Sequence, residues 1–447
     1  LSTFREAIQI AAVRRLIVGS AKLLSGHAIA SLVGFVSFAL CARELGVHDY
    51  GVLILISTGI SVTDKLFNFQ SWQALIKFGA GSWVQEQHVR MLGLLRVAVL
   101  LDLGTAVAAC LIANLTIRIG ASAFDWSQDV VHLATWYSTV LLFNLTGVPT
   151  AVLRLANRYD VLGTHAVIAA LVRLGAVSLA ALVGGGLLEF GYAWIGAEIL
   201  GYALLFAFGV REIMSKGMLQ ARPDPVRVVL AEHRGLIRFL FVSNLQTSVR
   251  LASSEGDTMV VGAVLGASGA GLYNVVKKLS KLVSIVLSPL YQTVYPELTR
   301  AYVERSVTVF RALVLQSTKA MAVACLAGWV VFLVIGRHLL GVLGEEYEAA
   351  YYPVLVYLVG VGLSMISFSY QPAMLALGRA GQAFVIMLWT TSLYLGLLIL
   401  LSRYGGVMGA CVSYAIFYAL WSGAMYRALN RGISAWAEPP PISWTPS

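Results

Sequence analysis

The chain has 447 residues, 58% of them hydrophobic and 12% charged, with a formal net charge of +10 and a mean hydropathy of +0.79. A soluble domain carries about 25% charged residues, so a chain this poor in charge could not cover a water-facing surface, whereas lipid tails around the outer face remove that need. The composition excludes a soluble enzyme and a nucleic-acid binder, and at ~20 apolar residues per crossing the length suits an all-α polytopic membrane protein of about twelve transmembrane helices.

The opening stretch from Phe4 to Arg15 is amphipathic and basic. No cleavable signal peptide is visible, and the stretch reads as a cytoplasmic interfacial helix leading into span one. Hydropathy places spans at 18–41, 50–72, 91–115, 131–155, 161–184 and 187–209. A polar connector from Arg211 to Arg234 follows, with Pro223, Pro225 and a short amphipathic helix. A second set is expected at 236–263, 268–295, 311–336, 349–372, 381–402 and 405–428. The expected organisation is an N-terminal six-helix lobe over 1–209, a cytoplasmic interlobe linker over 210–235, and a C-terminal six-helix lobe over 236–447 ending in a short cytoplasmic tail.

Basic residues test this layout. About 22 fall on the side of the N-terminus and about four (Arg43, Arg118, Arg337 and Arg403) on the other, a bias that puts both termini in the cytoplasm. The halves also echo one another: Leu45-Gly46 and Leu265-Gly266, Pro149…Arg158 and Pro372…Arg379, Gly196-Ala197…Tyr202-Ala203 and Gly409-Ala410…Tyr414-Ala415. Three echoes in one order favour a duplication, and six spans per half make it a parallel repeat.

Charged side chains at mid-bilayer cost at least ~2.5–3.5 kcal/mol, so they face a cavity or a partner. Span two carries Ser57, Ser61, Asp64, Lys65 and Asn68 on one side; Asp64 and Lys65 read either as a coupling or gating pair or as headgroup-level charges. Span seven carries Ser243, Thr247, Arg250, Ser254 and Asp257 at helical spacing, with Asn244, Gln246 and Glu255 nearby. Arg250 lies deepest and suits an anionic group, or else a structural ion pair; it sits ~10 Å along the helix from Asp257, too far for a direct pair. Span eight aligns Tyr273, Lys277, Lys281, Ser284, Ser288, Tyr291 and Tyr295 on one face. That cationic stripe reads as a cavity wall for an anion, with snorkelling of the lysines to headgroups as the alternative. Span one offers a small, weakly polar packing face (His27, Ser31, Gly34, Ser37), with His27 packed or hydrogen-bonded. Asp102, Arg173 and Glu198 read as packing charges. Cys41, Cys110, Cys325 and Cys411 lie in apolar runs without metal or disulfide spacing. No P-loop, HExxH or GxSxG occurs, so neither a cofactor nor an enzyme activity is expected.

Ala42-Arg43-Glu44-Leu45-Gly46…Tyr50-Gly51, the Phe69–Gly79 segment and Asp257-Thr258-Met259-Val260-Val261-Gly262…Leu265-Gly266…Gly271-Leu272-Tyr273 together resemble the polysaccharide (Wzx-like) flippases of the multidrug/oligosaccharidyl-lipid/polysaccharide exporter superfamily. The resemblance covers nearly the whole chain. It implies a V-shaped pair of lobes working by alternating access, with spans one, two, seven and eight around a central cavity. The implied substrate is an undecaprenyl-diphosphate-linked oligosaccharide (an O-antigen, exopolysaccharide or capsule repeat unit), moved from the cytoplasmic to the periplasmic leaflet of the bacterial inner membrane.

On this reading Arg250, Lys277 and Lys281 hold the diphosphate, and Tyr273, Ser284, Tyr291, Asn68 and Gln246 meet the substrate. Asp64, Lys65 and Asp257 serve coupling or gating. A monomer among membrane lipids is expected, with a polysaccharide polymerase and a chain-length regulator as partners. The rivals are an ion-coupled multidrug or cation exporter of the same superfamily and a membrane-embedded glycan polymerase. The related exporters often place an acid in span one, where this chain has none, and a polymerase would need a large periplasmic catalytic loop that the sequence lacks.

Overall fold

The computed structural model describes residues 2–69, 71–122, 124, 126–252 and 255–437, and side chains in these ranges except 2–22, 245–252, 283–296 and 299. The described chain is helical and contains no strand. In order the helices are α1 (Ser2–Phe67), α2 (Trp72–Val84), α3 (His88–Gly120), α4 (Gln128–Ser138), α5 (Val140–Phe143), α6 (Gly147–Leu155), α7 (Tyr159–Leu182), α8 (Leu187–Ser215), α9 (Val226–Glu232) and α10 (Leu236–Ala252). They continue as α11 (Gly256–Val303), α12 (Val307–Leu343), α13 (Tyr351–Ile366), α14 (Tyr370–Ala376) and α15 (Ala380–Ala437).

Among the described residues nine helical stretches are long and apolar enough to cross a bilayer. Three of them carry a glycine in the left-handed region that breaks the helix: Gly46 in α1 (φ 68°), Gly266 in α11 (φ 73°) and Gly406 in α15 (φ 57°). Left-handed backbone costs other residues about 1–2 kcal/mol, so glycine is the residue that can turn the chain there. The turns at Gly46 and Gly406 each divide one stretch into two crossings, and Gly266 separates a crossing that begins in α10 from one that runs on along α11, which brings the nine to twelve. Leu111, Leu115, Leu182, Val323, Leu326 and Val334 all stand more than half exposed, as expected where lipid rather than water is the solvent.

The repeat is written into the backbone. Gly46 and Gly266 share nearly the same φ and ψ (68°, 177° and 73°, −172°). Asn157 (φ 56°) and Gly378 (φ 73°) follow the short helices α6 and α14, and Gly184 (φ 65°) matches Gly406. The fourth and tenth spans are each interrupted, at 144–146 and at 367–369. Every pair is about 220 residues apart.

The chain falls into two compact units, Leu1–Met259 and Val260–Ser447; the 210–235 connector and α10 group with the first. In that unit Leu75, Met91, Leu94, Val152, Met218, Val229 and Leu240 form one buried core, which fastens the connector to α3 and α6. A Cβ on Gly26 would lie 2.6 Å from Gly163, so α1 and α7 meet through small residues. In the second unit Leu298, Phe310, Met374, Met425 and Leu429 pack into the matching core.

Candidate functional site

Span two divides its polar residues between two environments. Asp64 and Asn68 turn into the first unit and are buried. Asp64 accepts from Asn68 Nδ2 through Oδ1 (2.9 Å) and from Asn144 Nδ2 through Oδ2 (2.9 Å). Asn68 Oδ1 accepts from the Thr105 hydroxyl (3.2 Å), and Asn144 Oδ1 from that of Thr146 (3.0 Å). Asn144 and Thr146 reach this hub because the fourth span is non-helical at 144–146. Such backbone is tolerated at membrane depth only inside protein or beside water, and broken helices commonly mark ion and substrate sites in transporters.

A second buried acid lies alongside. Asp102 Oδ2 accepts from the Ser71 hydroxyl (2.7 Å), while its Oδ1 has no hydrogen-bond partner among the described residues. The first residue of α6 closes the contact: a Cβ on Gly147 would sit 2.5 Å from Asp102 Oδ2 and 2.6 Å from Ser71 Oγ. Asp102 is packed between elements as expected from the sequence, and its second oxygen leaves capacity for a proton or a small cation. Arg173 and Glu198 do pack as expected. Arg173 Nη2 lies 3.3 Å from Glu198 Oε1, its guanidinium covers the Trp194 ring at 4.0 Å, and the Tyr137 hydroxyl donates to the same carboxylate (2.9 Å).

The other side of span two meets the start of the second six-span set. Lys65 Nζ pairs with Glu255 Oε1, and Ser61 donates to Glu255 Oε2 (2.8 Å). Ser243 donates to Gln73 Oε1, and Asn244 Nδ2 to the Leu66 carbonyl (2.9 Å). These bonds latch α1 and α2 to α10. Beside them lies a polar cavity of about 30 Å³, lined by Lys65, Asn68, Trp72, Gln73, Ser243 and Asn244, enough for about one or two waters. Glu255 received no role from the sequence, because its partner is 190 residues away. Asp257 is buried and opens α11, where Oδ1 accepts from the Thr258 amide (2.7 Å); an acid in the first turn favours the helix dipole.

On the second unit Tyr273 is fully buried, edge-on to Tyr357 with centroids 6.0 Å apart and its hydroxyl 3.4 Å from that of Tyr394. Lys277 Nζ stands 5.6 Å from the Tyr273 ring centre. Lys281, one turn further along the same face, is exposed. Arg250, Gln246, Ser284 and Tyr291 lie outside the described side chains. His27, expected to be packed or bonded, is exposed on span one.

Twelve crossings, interrupted spans and buried acids within them define a polytopic membrane protein, and its fold is one that solved transporters share. The solved structures agree. Lipid II flippase MurJ in an inward closed conformation is similar over 94% of this chain and 90% of that one, with a TM-score of 0.69 and 11% identity. A mutant of the Vibrio cholerae MATE transporter VcmN is similar over 94% of this chain and 97% of that one, with a TM-score of 0.57 and 14% identity. Residues 16–302 match the family described as polysaccharide biosynthesis protein, and the chain belongs to that family. The inner membrane protein YghQ of Escherichia coli (strain K12) is 21% identical over 289 residues, 65% of this chain and 81% of YghQ.

Proposed function

We propose that the protein is a flippase that carries an undecaprenyl-diphosphate-linked oligosaccharide from the cytoplasmic to the periplasmic leaflet of the bacterial inner membrane by alternating access. The observation that carries the reading is the depth of the cationic face on α11. At 1.5 Å per residue, Lys277 and Lys281 lie about 16 and 22 Å beyond the Gly266 turn, within a hydrocarbon layer of ~30 Å entered at that turn. At that depth a lysine facing lipid is costly, and a diphosphate in a wet cavity is the partner that suits two cations one turn apart. Arg250 joins them on this reading. The family assignment and the likeness to a lipid II flippase support a lipid-linked substrate, and the inner-membrane relative supports the location.

Asp64, with Asp102 beside it, serves coupling, and the Lys65–Glu255 latch serves gating. Asp257, buried at the start of α11, stays a coupling candidate. Asn68, Gln246, Tyr273, Ser284 and Tyr291 remain the candidate contacts for the sugar. Both termini are cytoplasmic, and the flippase works as a monomer beside a polysaccharide polymerase and a chain-length regulator.

Lys281→Ala and Arg250→Ala are expected to reduce surface polysaccharide severely at normal protein level. Export unchanged in both variants would defeat the diphosphate assignment. The buried acids of the first unit favour a second reading, a cation-coupled drug exporter. That reading would be upheld by drug resistance conferred on a sensitive host with no effect of the lysines.

A further inference from the structure

The first unit carries an apolar cavity of about 300 Å³ that the flippase reading does not use. Its walls come from α3 (Leu92, Val99), α6 (Pro149) and α8 (Phe206, Val210), and the connector residue Leu219 covers one end. Close approach of α6 and α8 shapes it: a Cβ on Gly209 would meet Pro149 Cβ at 2.5 Å. The cavity opens on the outer surface, where Phe206 and Leu219 are 39% and 57% exposed. An apolar cavity is a poor host for water, and hydrocarbon chains are what surround a membrane helix.

The single charged lining residue is Arg96, which is exposed and forms no ion pair among the described residues. Arg211 and Arg222 adjoin the lining residues Val210, Ala221 and Pro223. Of the nearby acids, Glu212 is engaged by Arg158 at 3.2 Å, and Asp224, next to the lining residue Pro223, is one negative charge against the three arginines. An apolar slot with a cationic rim matches a lipid with an anionic head.

We infer that this groove binds one anionic glycerophospholipid of the surrounding bilayer, with an acyl chain between α3, α6 and α8 and the phosphate at Arg96. The lipid braces these helices beneath the connector.

The test uses the full-length protein in detergent, with phosphatidylglycerol, phosphatidylcholine, undecaprenyl phosphate and inorganic phosphate as probes. Native mass spectrometry reads retained lipid, and thermal unfolding reads stabilisation. Phosphatidylglycerol should be retained and should raise the unfolding temperature, with phosphatidylcholine and inorganic phosphate giving neither effect. Arg96→Gln should lower retention about fivefold, the factor matching about 1 kcal/mol for one basic side chain near a lipid surface. Leu219→Trp, at an exposed position that tolerates bulk, should block the slot and lower retention while the protein stays folded. Equal retention by wild type and both variants would overturn the inference. So would equal retention of phosphatidylcholine, an equal effect of inorganic phosphate, or a preference for undecaprenyl phosphate. Lys281→Ala is expected to keep phosphatidylglycerol binding, which separates failure of this groove from failure of the flippase reading.

Discussion

Asn144 supplies one of the two side-chain amides that hold the Asp64 carboxylate. Its replacement by alanine leaves one buried oxygen without that donor, a loss of about 1–3 kcal/mol. Thermal unfolding of Asn144→Ala in detergent should show the decrease, and an unchanged midpoint would mean that water replaces the amide. Asp64→Asn tests a different role. If Asp64 carries the coupling ion, this variant stays folded and binds lipid-linked substrate but loses export, whereas wild-type export would remove Asp64 from coupling. Helical spacing made Ser61, Asp64, Lys65 and Asn68 legible as a group on one side of span two. It could not divide them, because the division depends on what packs on each flank. Asn144 and Thr146 left no periodic trace, since they lie in a helix break; the polar Asn-Leu-Thr just before Gly147 and Pro149, inside an apolar run, was the available signal.

At the level of helices, Gly147 marks where α6 starts against two buried polar groups. Gly147→Ala would place a methyl 2.5 Å from Asp102 Oδ2, and overpacking of this kind costs about 1–3 kcal/mol. A lowered unfolding temperature is expected, and Ser71→Ala in the same chain should relieve part of it; no change in either variant would show that α6 shifts freely. The latch between α1 and Glu255, which stands between α10 and α11, behaves differently. Lys65 and Glu255 are about one-third exposed, so their pairing contributes at most about 1 kcal/mol to stability. Its effect should appear in transport instead. Lys65→Glu and Glu255→Lys should each impair export, and the two together should restore it. Failure of the pair to rescue, at normal protein level, would mean that charge pairing is not what the latch supplies. The turns at Gly46 and Gly266 were visible as the Leu-Gly echo, whereas the breaks at 144–146 and 367–369 showed only as a few polar residues (Asn144, Thr146, Ser367, Ser369) inside windows whose mean hydropathy stays apolar.

At the scale of the whole chain, hydropathy carried most of the span layout, and the basic bias supplies the expected orientation. The orientation has a direct check: a membrane-impermeant thiol reagent should label Ser122→Cys from outside intact cells and Ser215→Cys only after permeabilisation. The reverse pattern would invert the topology. Composition held no sign that the compact division falls after Met259, because that depends on α10 settling against α1 and α2, and hydropathy is blind to which helices touch. The bends repeated about 220 residues apart have one further consequence. Each copy of the repeat crosses an even number of times, so both enter the bilayer from the same face and thread the translocon alike. Joining two such copies head to tail therefore requires no inverted partner, and a short hydrophilic tether such as 211–234 suffices to make one gene product from two.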